Sequence, residues 1–430
     1  MSYKKVKLSE ICTIEKGATG ITKAIEGEYP MVTMAEARTS HNEYQFDTKA
    51  VLIPLVSSSG HGHASMKRIH YQEGKFAIGS ILCALVPKNE DVVNARFLYN
   101  YLHFQRESIL VPLMRGAANV SLSIKSISSV EINLPPIEIQ ISINKLVDDF
   151  KLRQDILQTE LTTQSNLLSK LRQAYLQEAV MGKLTEPSQD NAQTLLKAIK
   201  SQKAELIKQG KLRKEKPLAP IKPEEIPFEI PDNWVWCRLG EICEIKGGKR
   251  LPSGFNLQRI PTPYIYLRVS DMVNGSISNA DLHYVEEKVY TVLKNYIITH
   301  NDIYMTIVGG TIGKCGLISS EFSGAILTEN AAKIIPHIVN KEFLFLLFKS
   351  DFCQNQFIDK TKQVGVQKMA LNRFDKTLIP LPPLPEQEAI VAKVEGLLEN
   401  VSLLESENKA QQVDVQRLMG AVLQEAFGGK

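Results

Sequence analysis

Leu134-Pro135-Pro136-Ile137-Glu138-Ile139-Gln140 is answered 247 positions later by Leu381-Pro382-Pro383-Leu384-Pro385-Glu386-Gln387. Beyond each proline pair that offset never changes: Ala174, Leu176, Gln177-Glu178-Ala179, Gly182 and Lys183 meet Ala421, Leu423, Gln424-Glu425-Ala426, Gly429 and Lys430. Before the prolines the offset is smaller. Leu8-Ser9-Glu10-Ile11-Cys12-Thr13-Ile14 matches Leu239-Gly240-Glu241-Ile242-Cys243-Glu244-Ile245 at 231 positions, five of seven identical, with Gly17 and Gly248 following. Val93-Asn94 with Phe97-Leu98 returns as Val339-Asn340 with Phe343-Leu344, and Gly116 with Leu122-Ser123 returns as Gly365 with Leu371-Asn372. The chain is therefore two copies of one unit. All net insertion falls in the mixed segment before the prolines, as in a recognition surface built from loops, while the segment after them keeps its length, as a spacer must.

Each fixed segment reads as one long helix. From Pro136 and from Pro383 the chain runs 44 residues, to Val180 and to Phe427, with no proline except Pro385 in the first turn, where a missing N–H is tolerated. Ile143, Val147, Phe150, Gln154, Leu157, Leu161, Gln164, Leu168, Leu171 and Tyr175 recur at spacings of four and three, eight of ten apolar. Adding 247 gives Ile390, Val394, Leu397, Val401, Leu404, Asn408, Gln411, Val415, Leu418 and Val422, again eight of ten. This is a coiled-coil period, and at about 1.5 Å per residue each helix reaches ~66 Å. Gln164 and Gln411 hold the same place in both copies, either as buried amides that select a register or as edge residues reaching solvent. Glycine closes each helix, at Gly182 and at Gly428-Gly429.

The expected fold class is α+β: two tandem mixed α/β domains separated by two long helices that pair as an antiparallel coiled coil, giving a pseudo-twofold molecule. The expected boundaries are 1–134 for the first domain, 135–184 for the central helix, 185–238 for a connector, 239–380 for the second domain and 381–430 for the C-terminal helix.

The connector has no counterpart in the first copy. Leu195, Leu196, Ile199, Leu206 and Ile207 predict a short amphipathic helix, and residues 197–216 carry eight Lys/Arg against two Glu, the most basic stretch of the chain. Such a patch either tracks phosphates or is the solvated face of a linker. Five prolines from Pro217 to Pro231 stiffen the approach to Trp234 and Trp236, which are expected to cap the second domain, with stacking on a base as the alternative.

Composition excludes disordered, collagen-like and disulfide-scaffold classes: of 430 residues, 43% are hydrophobic and 23% charged, with 25 Gly and 20 Pro. The net charge of +4, from 51 Lys+Arg against 47 Asp+Glu, permits nucleic-acid binding without requiring it. Its distribution says more. Residues 1–134 carry 15 basic against 12 acidic groups and residues 239–383 carry 16 against 13, whereas the last helix carries 4 against 8. This suits nucleic acid at the globular domains and protein partners along the helices. No secretory apolar region follows the basic start and no run approaches 18 apolar residues, so the expected location is the cytoplasm with no membrane span. Six cysteines (Cys12, Cys83, Cys237, Cys243, Cys315, Cys353) without a C-x-x-C pair predict neither a disulfide framework nor a zinc site.

Motifs that would make an enzyme fail one by one. Gly309-Gly310-Thr311-Ile312-Gly313-Lys314-Cys315 is one residue short of a phosphate loop and has Cys315 where a metal-binding hydroxyl belongs, so it reads as a tight turn exposing Lys314. Asn133-Leu134-Pro135-Pro136 resembles the N-P-P-Y loop of amino-methyltransferases, but a leucine intervenes, no aromatic follows, and Pro380 replaces the asparagine in the second copy. His61-Gly62-His63 has no acidic or cysteine partner at metal spacing, and Ser57-Ser58-Ser59-Gly60 lacks the nucleophile elbow. The polar loop from Ser57 to Arg68 ends in Lys67-Arg68, a composition suited to phosphates and base edges as well as to an ordinary basic surface loop.

The whole arrangement resembles the specificity subunit of a Type I restriction-modification system. The resemblance is carried by the L-x-E-I-C-x-I openings, the Gly116 and Gly365 motifs, the Leu-Pro-Pro boundaries followed by Leu384-Pro385-Glu386-Gln387, the Leu-Gln-Glu-Ala helix ends, and Ile226-Pro227-Phe228-Glu229-Ile230-Pro231 before Trp234. The first copy departs at Ile137-Glu138-Ile139, but Gln140 keeps the glutamine. The resemblance implies two target recognition domains, each reading half of a split double-stranded DNA sequence, with antiparallel helices as the ruler. It further implies docking of two modification (methyltransferase) subunits and of restriction (translocase/nuclease) subunits. S-adenosylmethionine, ATP and Mg²⁺ would then enter with those partners, and this chain would hold no cofactor and no catalytic residue. The candidate DNA-binding residues are Lys67, Arg68 and Arg115 in the first domain and Arg250, Arg268, Lys314 and Lys368 in the second, since Arg and Lys supply most phosphate contacts and the commonest guanine contacts. Three rival readings remain at this stage: a coiled-coil scaffold joining two protein-binding domains, an enzyme with an unrecognised site, and a specificity chain of a methylation-only system.

Overall fold

The computed structural model describes residues 3–20, 24–59, 62–117, 119–214, 216–359, 361–362 and 367–428. Gly60, His61, Gly365, Gly429 and Lys430, singled out above, lie outside the described residues. The chain divides into two compact units, residues 1–163 with 408–430, and residues 164–407.

The first unit carries a four-stranded antiparallel sheet in the order Cys12–Lys16, Leu82–Pro87, Ala50–Pro54, His70–Gln72. A second sheet runs Thr39–His41, Tyr29–Val32, Lys75–Ile78, Phe46–Asp47, with Tyr29–Val32 and Lys75–Ile78 parallel. Ala50–Pro54 is buried at every position because it is covered on both faces. Val51 and Ile53 join one core with Phe97, Leu98 and Leu102 of helix Ala95–Ile109, while Ala50 and Leu52 join another with Val32, Phe46 and Phe76. That pattern is why this strand reads as a continuous apolar run and not as an alternation. Asn94 caps the helix, its Oδ1 accepting from the Phe97 N–H at 3.1 Å.

The second unit builds the same head. Its four-stranded antiparallel sheet runs Cys243–Gly247, Ala331–Pro336, Ile303–Thr306, Cys315–Leu317, and a neighbouring sheet pairs Ile265–Leu267 parallel to Ile326–Leu327. Asn340 caps helix Lys341–Lys349 by accepting from the Phe343 N–H at 2.8 Å. The repeat in sequence is a repeat in strand order and strand direction. In each head a two-stranded ribbon leads to the proline boundary: Lys4–Lys7 with Glu131–Leu134, and Val235–Arg238 with Leu378–Leu381.

Helices Ile137–Val180 and Leu384–Gly428 follow those boundaries, as the spacing predicts. Gln140 and Gln387 are fully buried and lock each helix start to its head. Gln140 accepts from the Asn94 N–H at 2.8 Å and donates to the carbonyls of Pro135 at 2.8 Å and Val92 at 3.0 Å. Gln387 accepts from the Asn340 N–H at 2.9 Å and donates to the Pro382 carbonyl at 2.8 Å. The Ile-Glu-Ile departure in the first copy therefore leaves the glutamine's task intact. The same equivalence governs packing: Ile143, Val147 and Phe427 enter the core of the first unit, and Ile390, Val394 and Val180 that of the second.

Burial along the helices corrects half of the expected seam. Val147, Leu161, Val394, Val401 and Asn408 are buried, but Leu157, Leu171, Leu404 and Leu418 are exposed, and Gln158, Arg172 and Glu405, one place on from the first three, are partly covered instead. Spacings of four-three and three-four are equally compatible with a 3.6-residue turn, so the choice falls to tertiary packing. The buried seam amide is Asn408, which donates to the Leu161 carbonyl at 3.2 Å; Gln164 and Gln411 lie exposed.

The connector forms helix Ala192–Lys208, with Leu196 and Ile199 in the core of the second unit. Part of its charge is spent on the head: Lys203 donates to the carbonyls of Gly240 at 2.6 Å and Cys243 at 3.2 Å, and Lys200 pairs with Glu241 at 2.9 Å. Both tryptophans cap the second head. Trp234 is buried and donates its Nε1–H to Glu386 at 2.6 Å, while Trp236 lies 5.1 Å from the Phe228 ring and 5.8 Å from that of Phe352. All six cysteines are buried and none is in a disulfide among the described residues, and burial pushes the Cys12 thiol up to about 12. Among the described residues no helix is long and apolar enough to cross a membrane.

Candidate nucleic-acid interface

Two loops meet at one end of the sheet in each head. In the first, the loop between Ala50–Pro54 and His70–Gln72 touches the turn around Gly116: the Ser57 N–H donates to the Val120 carbonyl at 2.9 Å, the Leu122 N–H to the Leu55 carbonyl at 2.8 Å, and Arg115 and Ser121 exchange both backbone bonds at 2.8 Å. Gly116 sits at φ +132°, and a Cβ there would meet the Asn119 backbone, so this turn requires glycine. In the second head, the turn between Ile303–Thr306 and Cys315–Leu317 meets strand Lys368–Met369. The Gly309 N–H donates to the Gln367 carbonyl and the Met369 N–H to that of Ile307, both at 2.9 Å.

Serines shape the first loop. Ser57 Oγ accepts from the Ser65 N–H at 3.1 Å and donates to the His63 carbonyl at 2.6 Å, while Ser58 Oγ accepts from the Lys67 N–H at 3.0 Å. Arg106, which the sequence reading passed over, ties the loop from behind through Nε to the Met66 carbonyl at 2.8 Å. Arg38, also passed over, donates to His70 Nδ1 at 3.2 Å and to Gln72 at 3.0 Å. Burial, with Arg38 and Arg68 alongside, pushes the His70 imidazole down to about 4, and burial beside Arg106 does the same to His103. Both rings are therefore neutral at pH 7. Arg38, which bonds His70, lies 32 residues away along the chain, and no local motif marks the pair.

The seven candidates separate by position. Lys67, Arg68 and Arg115 share the first loop pair. Lys67 is exposed, Arg68 is partly covered and pairs with Glu36 at 3.1 Å, and Arg115 folds onto the carbonyls of Pro112 at 2.6 Å and Met114 at 2.9 Å. Lys314 and Lys368 share the second loop pair, both exposed. Arg250 and Arg268 stand apart from it. Arg250 is held by Glu329 at 2.8 Å. Arg268 bonds Asp271 at 2.7 Å and Asp281 at 3.2 Å, and these bonds raise its already high pKa. Each head thus presents a loop pair bearing cations without a carboxylate within 4 Å among the described residues, Lys67 in one and Lys314 and Lys368 in the other, a surface chemistry that suits phosphate and base-edge contacts.

The glycine-rich turn is not a phosphate cradle. The N–H groups of Gly309, Ile312, Gly313 and Lys314 are all spent on backbone carbonyls, and Gly309 and Gly313 adopt φ values of +81° and +88° to close the turn. Among the described residues no three His, Cys, Asp or Glu side chains are grouped to hold a metal.

A protein-family model described as the Type I restriction modification DNA specificity domain matches residues 2–164 and again residues 231–413. The chain is 32% identical over 270 residues to the EcoAI specificity subunit of Escherichia coli, covering 61% of this chain and 45% of that protein. It is 24% identical to the EcoDI specificity subunit of Escherichia coli over all of this chain and 89% of that one. The chain thus spans under half the length of the EcoAI protein and of the EcoEI specificity subunit, 45% and 44%. Among solved structures, a chain described with the assembly and conformational transition of the type I R-M system superposes with TM-score 0.61 at 14% identity, covering 99% of this chain and 97% of that one. The HsdS subunit of Thermoanaerobacter tengcongensis does so with TM-score 0.57 at 15% identity, covering 100% and 97%.

Proposed function

Because the chain belongs to the Type I restriction-modification DNA specificity family, we propose that it recognises a bipartite double-stranded DNA target and directs the modification and restriction subunits of its complex to it. The observation that carries this reading is the duplication of one cation-bearing loop pair at the same end of two heads with the same strand order. One head reads each half of the target. The constant helix length makes the helices the ruler, and ~66 Å covers many base pairs at a rise of about 3.4 Å each.

The helices act as an antiparallel coiled coil in a pseudo-twofold chain. Two contacts, one in each unit, support this pairing: Asn408 with Leu161 at 3.2 Å, and Arg172 with Glu405 at 2.8 Å, so a higher number on one helix meets a lower number on the other. The exposed leucines 157 and 171, and their counterparts 404 and 418, form an apolar stripe repeated at the same offset of 247. Two modification subunits dock there. Chemistry belongs to the partners: S-adenosylmethionine, ATP and Mg²⁺ enter with them, and this chain is a non-catalytic component acting in the cytoplasm.

Two measurements test the reading. Binding of DNA by the chain together with its modification subunits should fall steeply with salt; binding without salt dependence, or none, favours the scaffold reading. Long-read mapping of methylated adenines in the host should return a split motif with one modified base in each half, and a single continuous site would overturn the two-headed reading.

A further inference from the structure

Within the second unit a cleft of about 860 Å³ opens between the turn ending in Lys314, the hairpin turn Asn274-Gly275, the end of helix Lys341–Lys349, and Arg172 with Glu405 from the two long helices. Among the described residues, three cations face it and one carboxylate. That carboxylate, on Glu405, is already engaged by Arg172 at 2.8 Å, with Ser402 Oγ accepting a second guanidinium bond at 3.1 Å. Lys314 and Lys349 have no carboxylate within 4 Å among the described residues. The Lys349 ammonium lies half-buried, 5.0 Å above the Phe345 ring. Burial lowers its pKa from the ordinary lysine value and Arg172 lowers it further, against an opposing pull from Cys315.

Cations held in a concave, partly desolvated site focus potential on the space between them, and two ammonium groups without a counter-ion leave that potential unspent. A monovalent carboxylate would answer one of them. A phosphate group, with up to two charges and several acceptor oxygens, answers both and still takes neutral donors from Asn274 and Thr311, which line the same space. We propose that this cleft binds a phosphate group, held by the side chains of Lys314 and Lys349 with Arg172 as the third cation. This is recognition by side-chain charge and not by a backbone cradle, since the turn's own N–H groups are mostly consumed. The volume is that of a small-molecule site, so the group belongs either to a free nucleotide or to a DNA backbone bound by the second head. Only the second source rests on the function proposed above.

The experiment uses the full chain with three probes: pyrophosphate, ATP and, in the presence of the modification subunits, target duplex. Lys349→Met keeps the aliphatic stem over Phe345, and Lys314→Ala alters an exposed residue, so the fold survives at least one of them; circular dichroism checks both. With a free nucleotide as the source, calorimetry should show pyrophosphate or ATP binding that weakens at least tenfold in each variant. With DNA as the source, the free probes do not bind, and each substitution lowers the slope of log affinity against log salt by about 1. Binding of the free probes equally by wild type and both variants overturns the proposal, as does an unchanged slope with no free-probe binding. Probe binding by a wild-type complex that ignores DNA would leave the phosphate site standing and remove the DNA-reading function.

Discussion

The ribbon that leads each head to its helix has one backbone and two surroundings. In Lys4–Lys7 with Glu131–Leu134, Val6 and Ile132 point into the core and Lys5, Lys7 and Glu131 face solvent. In Val235–Arg238 with Leu378–Leu381, Cys237 and Ile379 again point inward, but the outer face is covered too. The connector reaches over it. Arg238, with its side chain 8% exposed, bonds both oxygens of Glu225 at 2.9 and 3.0 Å and the Ala219 carbonyl at 2.9 Å. At the helix start, Ile139 is 41% exposed where its counterpart Glu386 is 3% exposed and accepts from Trp234, Asn233 and the Ser188 N–H. The outer-face residues record what lies above them. Where water is the neighbour the sequence uses lysine and glutamate, and where protein is the neighbour it uses leucine, proline and one fully partnered arginine.

That comparison breaks most visibly at Arg238. Arg238→Ala removes the connector's anchor and leaves the Ala219 carbonyl without its donor, so it should cost about 2–3 kcal/mol, while Lys7→Ala at the matching place should stay within ~0.5 kcal/mol. Urea unfolding of the full chain measures both, and similar losses would mean that the connector's cover is energetically idle. Acid should separate the heads next. His70 drops from 6.5 to about 4 on folding, so its contribution is complete above about pH 6.5 and is lost as pH falls towards 4, by up to ~3 kcal/mol. Hydrogen exchange at pH 5 should therefore open Ala50–Pro54 and His70–Gln72 before Ile303–Thr306.

Where the copies agree, mutations should agree. Gln140→Ala and Gln387→Ala each orphan buried backbone groups and should each cost ~2–3 kcal/mol; a gap above ~1 kcal/mol in thermal melts would show that one helix start is held by other means. Trp234→Phe, at the place Tyr3 holds in the first copy where Ile139 replaces Glu386, deprives Glu386 of a donor at a cost of about 1–2 kcal/mol, read in the same melts. The smallest effect on stability belongs to the exposed stripe. Leu157→Ser and Leu404→Ser should change stability by less than ~0.5 kcal/mol yet reduce co-purification of the modification subunits, and unaltered assembly would place the docking surface elsewhere.

Much of the fold is legible before any coordinates. The proline boundaries, the helix lengths, the retention of Gln140 at the helix start and the capping tryptophans all follow from repetition and local chemistry, because helix starts and apolar spacing are short-range features. The candidate site is legible only in part. Lys67 and Lys314 stand on polar loops that the sequence marks, but the partners that occupy Arg250 and Arg268, namely Glu329 and Asp281, lie 79 and 13 residues away. Arg106 reaches the first loop from a helix 40 residues downstream. Charge type is written in the sequence, and charge availability is not.

By itself the sequence determined the two-copy architecture, since a repeat with one constant and one varying offset has no other economical reading. It also determined which segments are helical and that the connector belongs to one copy only. Tertiary structure decided the seam. Leu157 and Leu171 satisfy the heptad as well as Gln158 and Arg172 occupy it, and only packing against a partner surface turns Arg172 towards Glu405 and leaves the leucines outside. It also decided that Lys314 shares a cleft with Lys349 and Arg172, because burial and pairing depend on distances across the fold that no local spacing encodes.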